Sequence, residues 1–471
     1  MMYKKILVCL FAIILINPTS PVNAQASPDN PVYIIQQGDT LTQIAIRFGI
    51  TVNELIQANN ISDANAISVG TRLIIPGFEG ISGVLTSENA QLGDTFQSIL
   101  LKNQLDKTLF VRLNHITSPN EIYAGSSLIV PESEQAVQSS PLGSLSTDET
   151  LLDLSVKTNS NPWTLVGRNN RQGIWDAVPG EMVFGNTSQT QAEVSPISPF
   201  ISKVEITPLP LIQGETTEIK ITTSRPINLS GTLTGQQLHF FKVTENEYVS
   251  LQGIYRMTAQ GIYPIDINGD VPGESAFKFE QSILVVLRPR IEDPRLPVDP
   301  ITTDPTITGP EDALVDKVIS VISPDRLWDG PFKPPVDVPE GYALSPDCTT
   351  DRFGNLRAYN DGPFNFFHSG LDLSACGNNL NIYAVAPGKV VFADLLTVRG
   401  NYTVIDHGWG IFSAYGHQAE VKVKVGDQVE AGQLIGLIGK TGRVTGPHLH
   451  WDMWVNGEQV DPLDWIDNTY P

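Results

Sequence analysis

Five of the seven histidines of this chain lie in its last quarter, several of them next to other groups that can bind a metal ion. Asp372 follows His368 by four residues, and His448 and His450 are two residues apart. Apolar residues alternate with them at period two, which is typical of half-buried strands. We therefore expect His368 and Asp372 to share one face of a strand, and His448 and His450 to share one face of another.

Two or three imidazoles with one carboxylate suit a catalytic zinc ion, which keeps a fourth position open for water. Asp452, two residues after His450, is predicted to orient that imidazole. Tyr415 lies two residues before His417, so in a strand the two side chains share a face. We therefore predict that Tyr415 lines the substrate groove together with His417. Cys376 is an alternative ligand, whereas His407 is expected to be structural.

These motifs resemble the lysostaphin- or LytM-type zinc metalloendopeptidases, which cut the peptides of peptidoglycan. The matching pieces are His368-x-x-x-Asp372, Tyr415-x-His417 and His448-x-His450, with Gly446-Pro447 before the last and Val460-Asp461-Pro462 after it. The resemblance covers residues 346–466 and implies a compact, mainly-β catalytic domain. Gln418 departs from it, since the family usually has leucine there.

The resemblance implies one Zn²⁺ held by His368, Asp372 and His450. It implies that His417 and His448 are the catalytic histidines. One of them would take a proton from water and the other would stabilise the oxyanion. Which is the base stays open, and we favour His448.

The chain begins with an export signal. Lys4 and Lys5 precede an apolar run from Ile6 to Ile16, which is too short to span a bilayer, and Ala24 ends a small-residue cleavage site. We predict a signal peptide at residues 1–24, a secreted or cell-envelope location and no integral membrane span after cleavage. An uncleaved anchor is the alternative.

The net charge excludes some classes of binding partner, and the cysteine content indicates a disulfide. The formal net charge is −21, and removal of the lysine-bearing leader makes it more negative. This argues against nucleic acid or anionic lipid as a partner, since both need basic patches. Cys348 and Cys376 are the only cysteines after the leader, and in an exported protein we predict a disulfide between them.

The first part of the chain is repetitive. Gly38-Asp39-Thr40 recurs 55 residues later as Gly93-Asp94-Thr95, and a fainter third copy follows at the same offset. Leu41, Ile44, Ala45 and Phe48 have the spacing of an amphipathic helix. Each copy is predicted to fold as strand, helix, helix, strand, at residues 32–76, 82–131 and 145–187.

The repeats resemble LysM carbohydrate-binding modules. By resemblance the first copy would bind N-acetylglucosamine-containing glycan in a shallow groove, with Gly38, Asp39, Thr40 and Asn59 as candidate contacts. The alternative is that the repeats are spacers, which we expect of the degenerate third copy.

Beyond the repeats, residues 198–289 change to short strands of period two, such as Val204 to Ile206. With Gln213-Gly214 and Asn268-Gly269 as turns, they predict a β-sandwich-like spacer. Residues 290–311 form a Pro-rich linker that should be extended. Residues 312–345 lead into the catalytic domain, beginning with a helix from Asp312 to Ile322.

The fold class is therefore a multidomain protein with LysM-like α+β repeats, a β-sandwich-like spacer and a mainly-β metallopeptidase domain. Its predicted function is that of a secreted zinc-dependent endopeptidase anchored to peptidoglycan by its repeats. The alternative is a non-catalytic, wall-binding regulator of other peptidoglycan hydrolases. Because all three ligands and both further histidines are present, we favour the enzyme.

Overall fold

The computed structural model describes residues 30–36, 39–63, 67–78, 81, 83–132, 139–145, 149–177, 181–186, 197–198, 200–273, 276–338, 348–375 and 379–471. The predicted signal peptide lies outside these residues. No helix in the described part of the chain has the length and apolarity needed to span a bilayer. The chain divides into two compact units, residues 1–87 with 129–135 and residues 88–128 with 136–471.

The first unit is built around the first repeat. Its elements are β1 Val32–Ile34, α1 Leu41–Phe48, α2 Val52–Asn59 and β2 Arg72–Ile74, followed by β3 Val84–Asn89 and β4 Ser127–Glu132. The strands form a sheet in the order β2-β1-β3-β4. The predicted apolar face Leu41, Ile44, Ala45 and Phe48 is buried, which confirms the strand-helix-helix-strand unit.

The second unit contains the helices of the other two repeats. They are α3 Phe96–Asn103, α4 Lys107–Asn114, α5 Leu151–Lys157 and α6 Pro162–Arg168, with the paired strands β5 Ser139–Ser144 and β6 Met182–Asn186. The first helix of each repeat is capped by a threonine hydroxyl, from Thr40, Thr95 and Thr150. This N-cap satisfies an otherwise unpaired helix N–H group, and explains the threonine that recurs at offset 55.

The middle domain is a β-sandwich, as predicted. Its strands are β7 Ile201–Thr207, β8 Leu211–Ile212, β9 Thr216–Thr223, β10 Asn228–Leu233, β11 Gln236–Leu238, β12 Phe241–Thr244, β13 Glu247–Gly253, β14 Gly261–Asp270 and β15 Phe277–Val286. Two sheets, ordered β11-β10-β14-β15-β8 and β12-β13-β9-β7, enclose one apolar cluster. The predicted turn at Asn268-Gly269 is wrong, because both residues lie inside β14. Gly269 leaves room for the Phe277 ring, since a Cβ would lie 2.1 Å from that ring in its present position.

Residues 290–312, which include the predicted linker, run along the surface of the C-terminal domain, and we call them the strap. The amide of Asp293 donates to the carbonyl of Leu356, and the amide of Leu296 donates to that of Ala358. Helix α7, Pro305–Ile319, begins earlier than predicted. Asp304 caps it and proline occupies its first position, a start signal that the sequence prediction overlooked.

The C-terminal domain, predicted from the sequence to be catalytic, is mainly β, as predicted. Its elements are β16 Thr349–Asp351, β17 Leu356–Arg357, β18 Phe366–Phe367, β19 Leu371–Leu373, β20 Asn381–Tyr383, β21 Gly388–Leu396, β22 Gly400–Gly408, β23 Ile411–Gln418, β24 Glu420–Val421, β25 Gln428–Val429, β26 Leu434–Leu437, β27 Leu449–Val455, β28 Glu458–Val460 and α8 Pro462–Asp467. The large sheet has the order β16-β19-β27-β23-β22-β21-β25, with β28 beside β27.

The sandwich is fixed to the catalytic domain. Val249 and Leu251 belong to the same apolar cluster as Trp328 and Trp465. Arg256, with no exposed surface, donates to the carbonyl of Gly354 at 3.1 Å. The middle domain therefore supports the fold of the C-terminal domain through direct packing.

A half-buried carboxyl at this junction, Asp464, predicts a pH effect on stability. Burial and the neighbouring Asp461 and Glu215 raise the pKa of Asp464 to about 8. A carboxyl whose pKa is raised by folding destabilises the fold as pH rises from its unfolded value near 4 towards 8. We expect Asp464→Asn to raise the unfolding temperature by a few degrees at pH 8, and to change it little at pH 4.

Differential scanning calorimetry at the two pH values tests this expectation. The matched control is Asp467→Asn in the same helix, where the side chain is exposed. An equal gain from both substitutions, or a gain from Asp464→Asn that is as large at pH 4, would contradict the electrostatic cause.

Candidate metal centre and active site

Two adjacent strands bring together the residues of the predicted metal site. Asp372 in β19 is the direct antiparallel partner of His450 in β27. His368 lies just before β19, separated from it by Gly370, where a Cβ would meet the carbonyl oxygen of Trp451 at 2.4 Å. The close backbone approach thus requires glycine, and it places His368 over the same end of the strand pair.

Three ligand atoms converge at this point. His368 Nε2 lies 2.9 Å from Asp372 Oδ1 and 3.1 Å from His450 Nδ1, and His450 Nδ1 lies 2.7 Å from Asp372 Oδ1. All three side chains are nearly or fully buried. Two imidazole nitrogens and one carboxylate oxygen form the donor set that catalytic zinc sites use.

The outer nitrogen of each ligand imidazole has its own oxygen acceptor. His368 Nδ1 is 3.0 Å from the carbonyl oxygen of Arg352, and His450 Nε2 is 3.0 Å from Asp452 Oδ1. Because those oxygens accept a proton, the inner nitrogens His368 Nε2 and His450 Nδ1 can present lone pairs to a cation. The residues present therefore fit a divalent metal ion.

The electrostatics of this pair of strands agree with that assignment. Burial would raise the pKa of Asp372, but the hydrogen-bonded His368 and His450 hold it well below its ordinary value. Burial would lower the pKa of His450, but Asp452 and Asp372 together raise it to about 10. Without a cation, a proton on His450 balances the two carboxylates, and metal binding would release it.

The two further histidines lie beside this cluster. The ring of His417 is 4.9 Å from that of His448 and 5.8 Å from that of His450, measured between centroids. His417 Nδ1 donates to the carbonyl of Thr441 at 2.8 Å, and His448 Nδ1 donates to that of Gly446 at 2.9 Å. In these tautomers both Nε2 atoms are proton acceptors. Burial and the neighbouring His450 and His448 lower the pKa of His417 to about 3, so that imidazole is neutral.

Tyr415 does not line the groove, contrary to prediction. Its side chain is fully buried, and its hydroxyl accepts from the amide of Val385 at 3.0 Å. The regular alternation of side chains along β23 is interrupted here. His417 has a φ of +59°, and the register of β22 with β23 shifts near Thr403. Gln418, where the chain departs from the family pattern, donates to Thr403 and to the carbonyl of Tyr415.

Asp452 lies against His450, as predicted. Its carboxylate also accepts hydrogen bonds from two hydroxyl groups that the sequence motifs do not indicate. It accepts from Ser369 Oγ at 3.0 Å and from the hydroxyl of Tyr402 at 2.9 Å. His407 lies away from the cluster, between the carbonyl of Pro387 and Ser413 Oγ. Cys348 is disulfide-bonded, and its predicted partner Cys376 lies outside the described residues.

Charged side chains from outside the histidine motifs also support the site. Arg357 lies 3.3 Å from Asp372 Oδ2. Buried Glu311 of α7 accepts from the amides of Val398 and Arg399 at 2.9 and 3.2 Å, and the carbonyl of Arg399 accepts the amide of His417. Their roles carry no local sequence signal, since long-range packing creates these contacts.

The candidate glycan residues have structural roles in the first repeat. Asp39 Oδ2 accepts from the Tyr33 hydroxyl at 2.7 Å, and Thr40 caps α1. The amide group of Asn59 donates to the carbonyls of Leu55 and Ile74. Asn169 makes the equivalent pair in the third repeat. Gly38 lies outside the described residues, and glycan contact by all four stays a prediction.

Comparison with known protein families identifies the same region of the chain. Residues 366–462 match Peptidase family M23, and residues 33–76 and 91–131 match the LysM domain. The chain contains an M23 peptidase domain and two LysM domains. The identified M23 segment includes the converging ligands and both further histidines.

Individual relatives match the M23 domain over short stretches. Peptidoglycan DD-endopeptidase ShyA of Vibrio cholerae is 42% identical over 96 residues, 20% of this chain and 22% of the relative. Murein hydrolase activator EnvC of Escherichia coli is 39% identical over 85 residues, 18% and 20% of the two chains. The matched stretches thus span about a fifth of these relatives. A crystal structure of an M23 peptidase candidate from Pseudomonas aeruginosa has 23% identity and a TM-score of 0.37, covering 55% of this chain and 94% of that one.

Proposed function

We propose that this protein is a secreted zinc-dependent endopeptidase that hydrolyses peptide bonds of peptidoglycan. The observation that carries the proposal is the convergence of His368 Nε2, Asp372 Oδ1 and His450 Nδ1, whose outer partners leave lone pairs directed at one point. Two imidazole nitrogens and a carboxylate oxygen within 3.1 Å of one another are three potential electron-pair donors, and a shared cation would bind all three.

The histidines of the chain supply the proton transfers. When bound, zinc polarises a carbonyl group and lowers the pKa of water towards neutrality. Because the Nδ1 atoms of His448 and His417 donate to backbone carbonyls, the Nε2 atom of either neutral imidazole can accept a proton from an attacking water. The imidazole that has taken up the proton becomes a donor through the same Nε2, and can pass the proton to the leaving amine.

The first LysM domain is the better candidate for binding glycan. In the second, the loop that corresponds to the proposed glycan groove is engaged by the sandwich. The amide of Gly93 donates to Gln281 Oε1 at 2.6 Å, and Gln281 Nε2 donates to the carbonyl of Asp94 at 3.0 Å. A glycan would have to displace these contacts, so we assign wall binding chiefly to residues 32–76.

The second candidate function is regulation of other hydrolases without catalysis. One of the matched relatives is a murein hydrolase activator, which is why this class is retained. In this chain, however, the three donors and both further imidazoles are all in place. The complete set favours the enzyme.

Digestion of purified sacculi followed by mass spectrometry of the muropeptides tests the proposal. We expect cross-linked dimers to be converted to monomers, with the reaction stopped by a chelator and restored by added zinc. Unchanged dimers in the presence of zinc would contradict the enzyme, and stimulation of a second added hydrolase would then support the regulator.

A further inference from the structure

A cavity of about 820 Å³ lies over the metal centre and is lined by His417, His448 and His450 together with three arginines. Two of those arginines are neutralised by carboxylates of the protein. Arg357 lies 3.3 Å from both Asp293 and Asp372. Arg399 lies 2.9 Å from Glu311 and 3.0 Å from Asp312.

The third arginine, Arg443, differs in its partners. Its Nη1 donates to the carbonyl of Thr302 at 2.8 Å and its Nη2 donates to the hydroxyl of Tyr359 at 3.0 Å. Its guanidinium lies 4.1 Å from the centroid of the Tyr359 ring. Among the described residues no carboxylate lies within 4.0 Å of it, and its Nε–H and remaining Nη–H groups have no protein acceptor. Burial, together with the charges of Arg357 and Arg399, lowers the pKa of Arg443, which marks its positive charge as poorly compensated.

A guanidinium held in this way is suited to a ligand carboxylate. The strap and Tyr359 fix its plane from one side, so little side-chain entropy remains to be lost on binding. The unused N–H groups form the planar fork that binds a carboxylate through two parallel hydrogen bonds. Because Arg443 lines the same cavity as the catalytic histidines, a peptide held for cleavage would pass beside it.

We propose that Arg443 is a specificity residue that binds a free carboxylate of the peptide substrate close to the bond to be cut. This inference rests on the proposed endopeptidase function. The substrate class that follows is a cross-linked stem peptide bearing an acid beside the scissile amide. Neutral bridges such as oligoglycine lack the group that would pair with the guanidinium.

The test uses a D-alanyl-cross-linked peptide dimer prepared in two forms, once with free carboxylates and once with those carboxylates as primary amides. With the zinc-loaded full-length protein, we expect kcat/KM to be at least about tenfold higher for the acid, since a charge-assisted bidentate pair forms only with it. In Arg443→Gln the ratio should fall to near one, and in Arg443→Lys it should be intermediate. Lys424→Gln removes the same charge from a side chain that is 85% exposed and should leave the ratio unchanged.

Equal cleavage of both dimers by the wild-type protein would overturn the carboxylate subsite while leaving the endopeptidase intact. A preference for the acid that survives in Arg443→Gln would also overturn the assignment to Arg443. Failure of the wild-type protein to cut either dimer or sacculi would overturn the proposed function, and this inference with it. The comparison of the two dimers needs no variant, so it holds even if Arg443→Gln misfolds.

Discussion

Replacing His450 by alanine is expected to abolish both peptidoglycan hydrolysis and tight metal binding, while binding to sacculi continues. The substitution removes one of three converging donors, and it also leaves the buried carboxylates of Asp372 and Asp452 without the imidazole between them. Loss of metal-assisted catalysis forfeits several kcal/mol of transition-state stabilisation. At about 1.4 kcal/mol per tenfold, this corresponds to at least about a thousandfold in rate.

Three measurements on the same protein sample check this result. They are zinc content by atomic emission after dialysis, muropeptide release, and co-sedimentation with sacculi. His239→Gln is the matched histidine control, because His239 lies in the sandwich, away from the cluster. Retained wall digestion by His450→Ala would contradict the assignment of this residue as a ligand. Loss of sedimentation along with activity would show that the substitution damages more than the metal centre.

The sequence motifs and the family resemblance indicated the three candidate ligands, which the structure brings together, but they did not indicate the supporting partners of those residues. The prediction that each histidine pair member shares a strand face with its neighbour is wrong, because His368 and His448 lie just before β19 and β27. Asp372 and His450 do lie in those strands, as direct antiparallel partners. Three of the four imidazoles at the site donate through Nδ1 to a backbone carbonyl. These carbonyls belong to Arg352, Thr441 and Gly446. A carbonyl has no residue type, so no sequence motif could indicate it.

The misplaced predictions have equally specific causes. Tyr415 was assigned to the groove by parity, which a register shift and the left-handed backbone of His417 interrupt. Gly269 was assigned to a turn by its residue type, whereas its lack of a side chain is used for packing against Phe277. The strap has the proline content of a linker, and only its backbone hydrogen bonds to β17 and its neighbours reveal that it forms a wall of the catalytic cavity.

Substitution of the two non-ligand histidines should separate catalysis from metal binding. We expect His448→Ala and His417→Ala each to lower kcat by about 10²–10⁴-fold, the range for loss of a general acid–base group. Zinc content should remain that of the wild-type protein, because neither imidazole contributes one of the three converging donor atoms. A loss of zinc in either variant would contradict this separation of roles.

The pH dependence of the same variants then indicates which imidazole is the base. A general base must be deprotonated, so kcat/KM falls as pH falls through its pKa. The pKa of His417 is about 3, and a fall caused by its protonation would be centred near that pH. If His448 is the base, the fall in kcat/KM of the wild-type protein persists in His417→Ala and is lost in His448→Ala. Persistence of that fall in His448→Ala would contradict the assignment of His448 as the base.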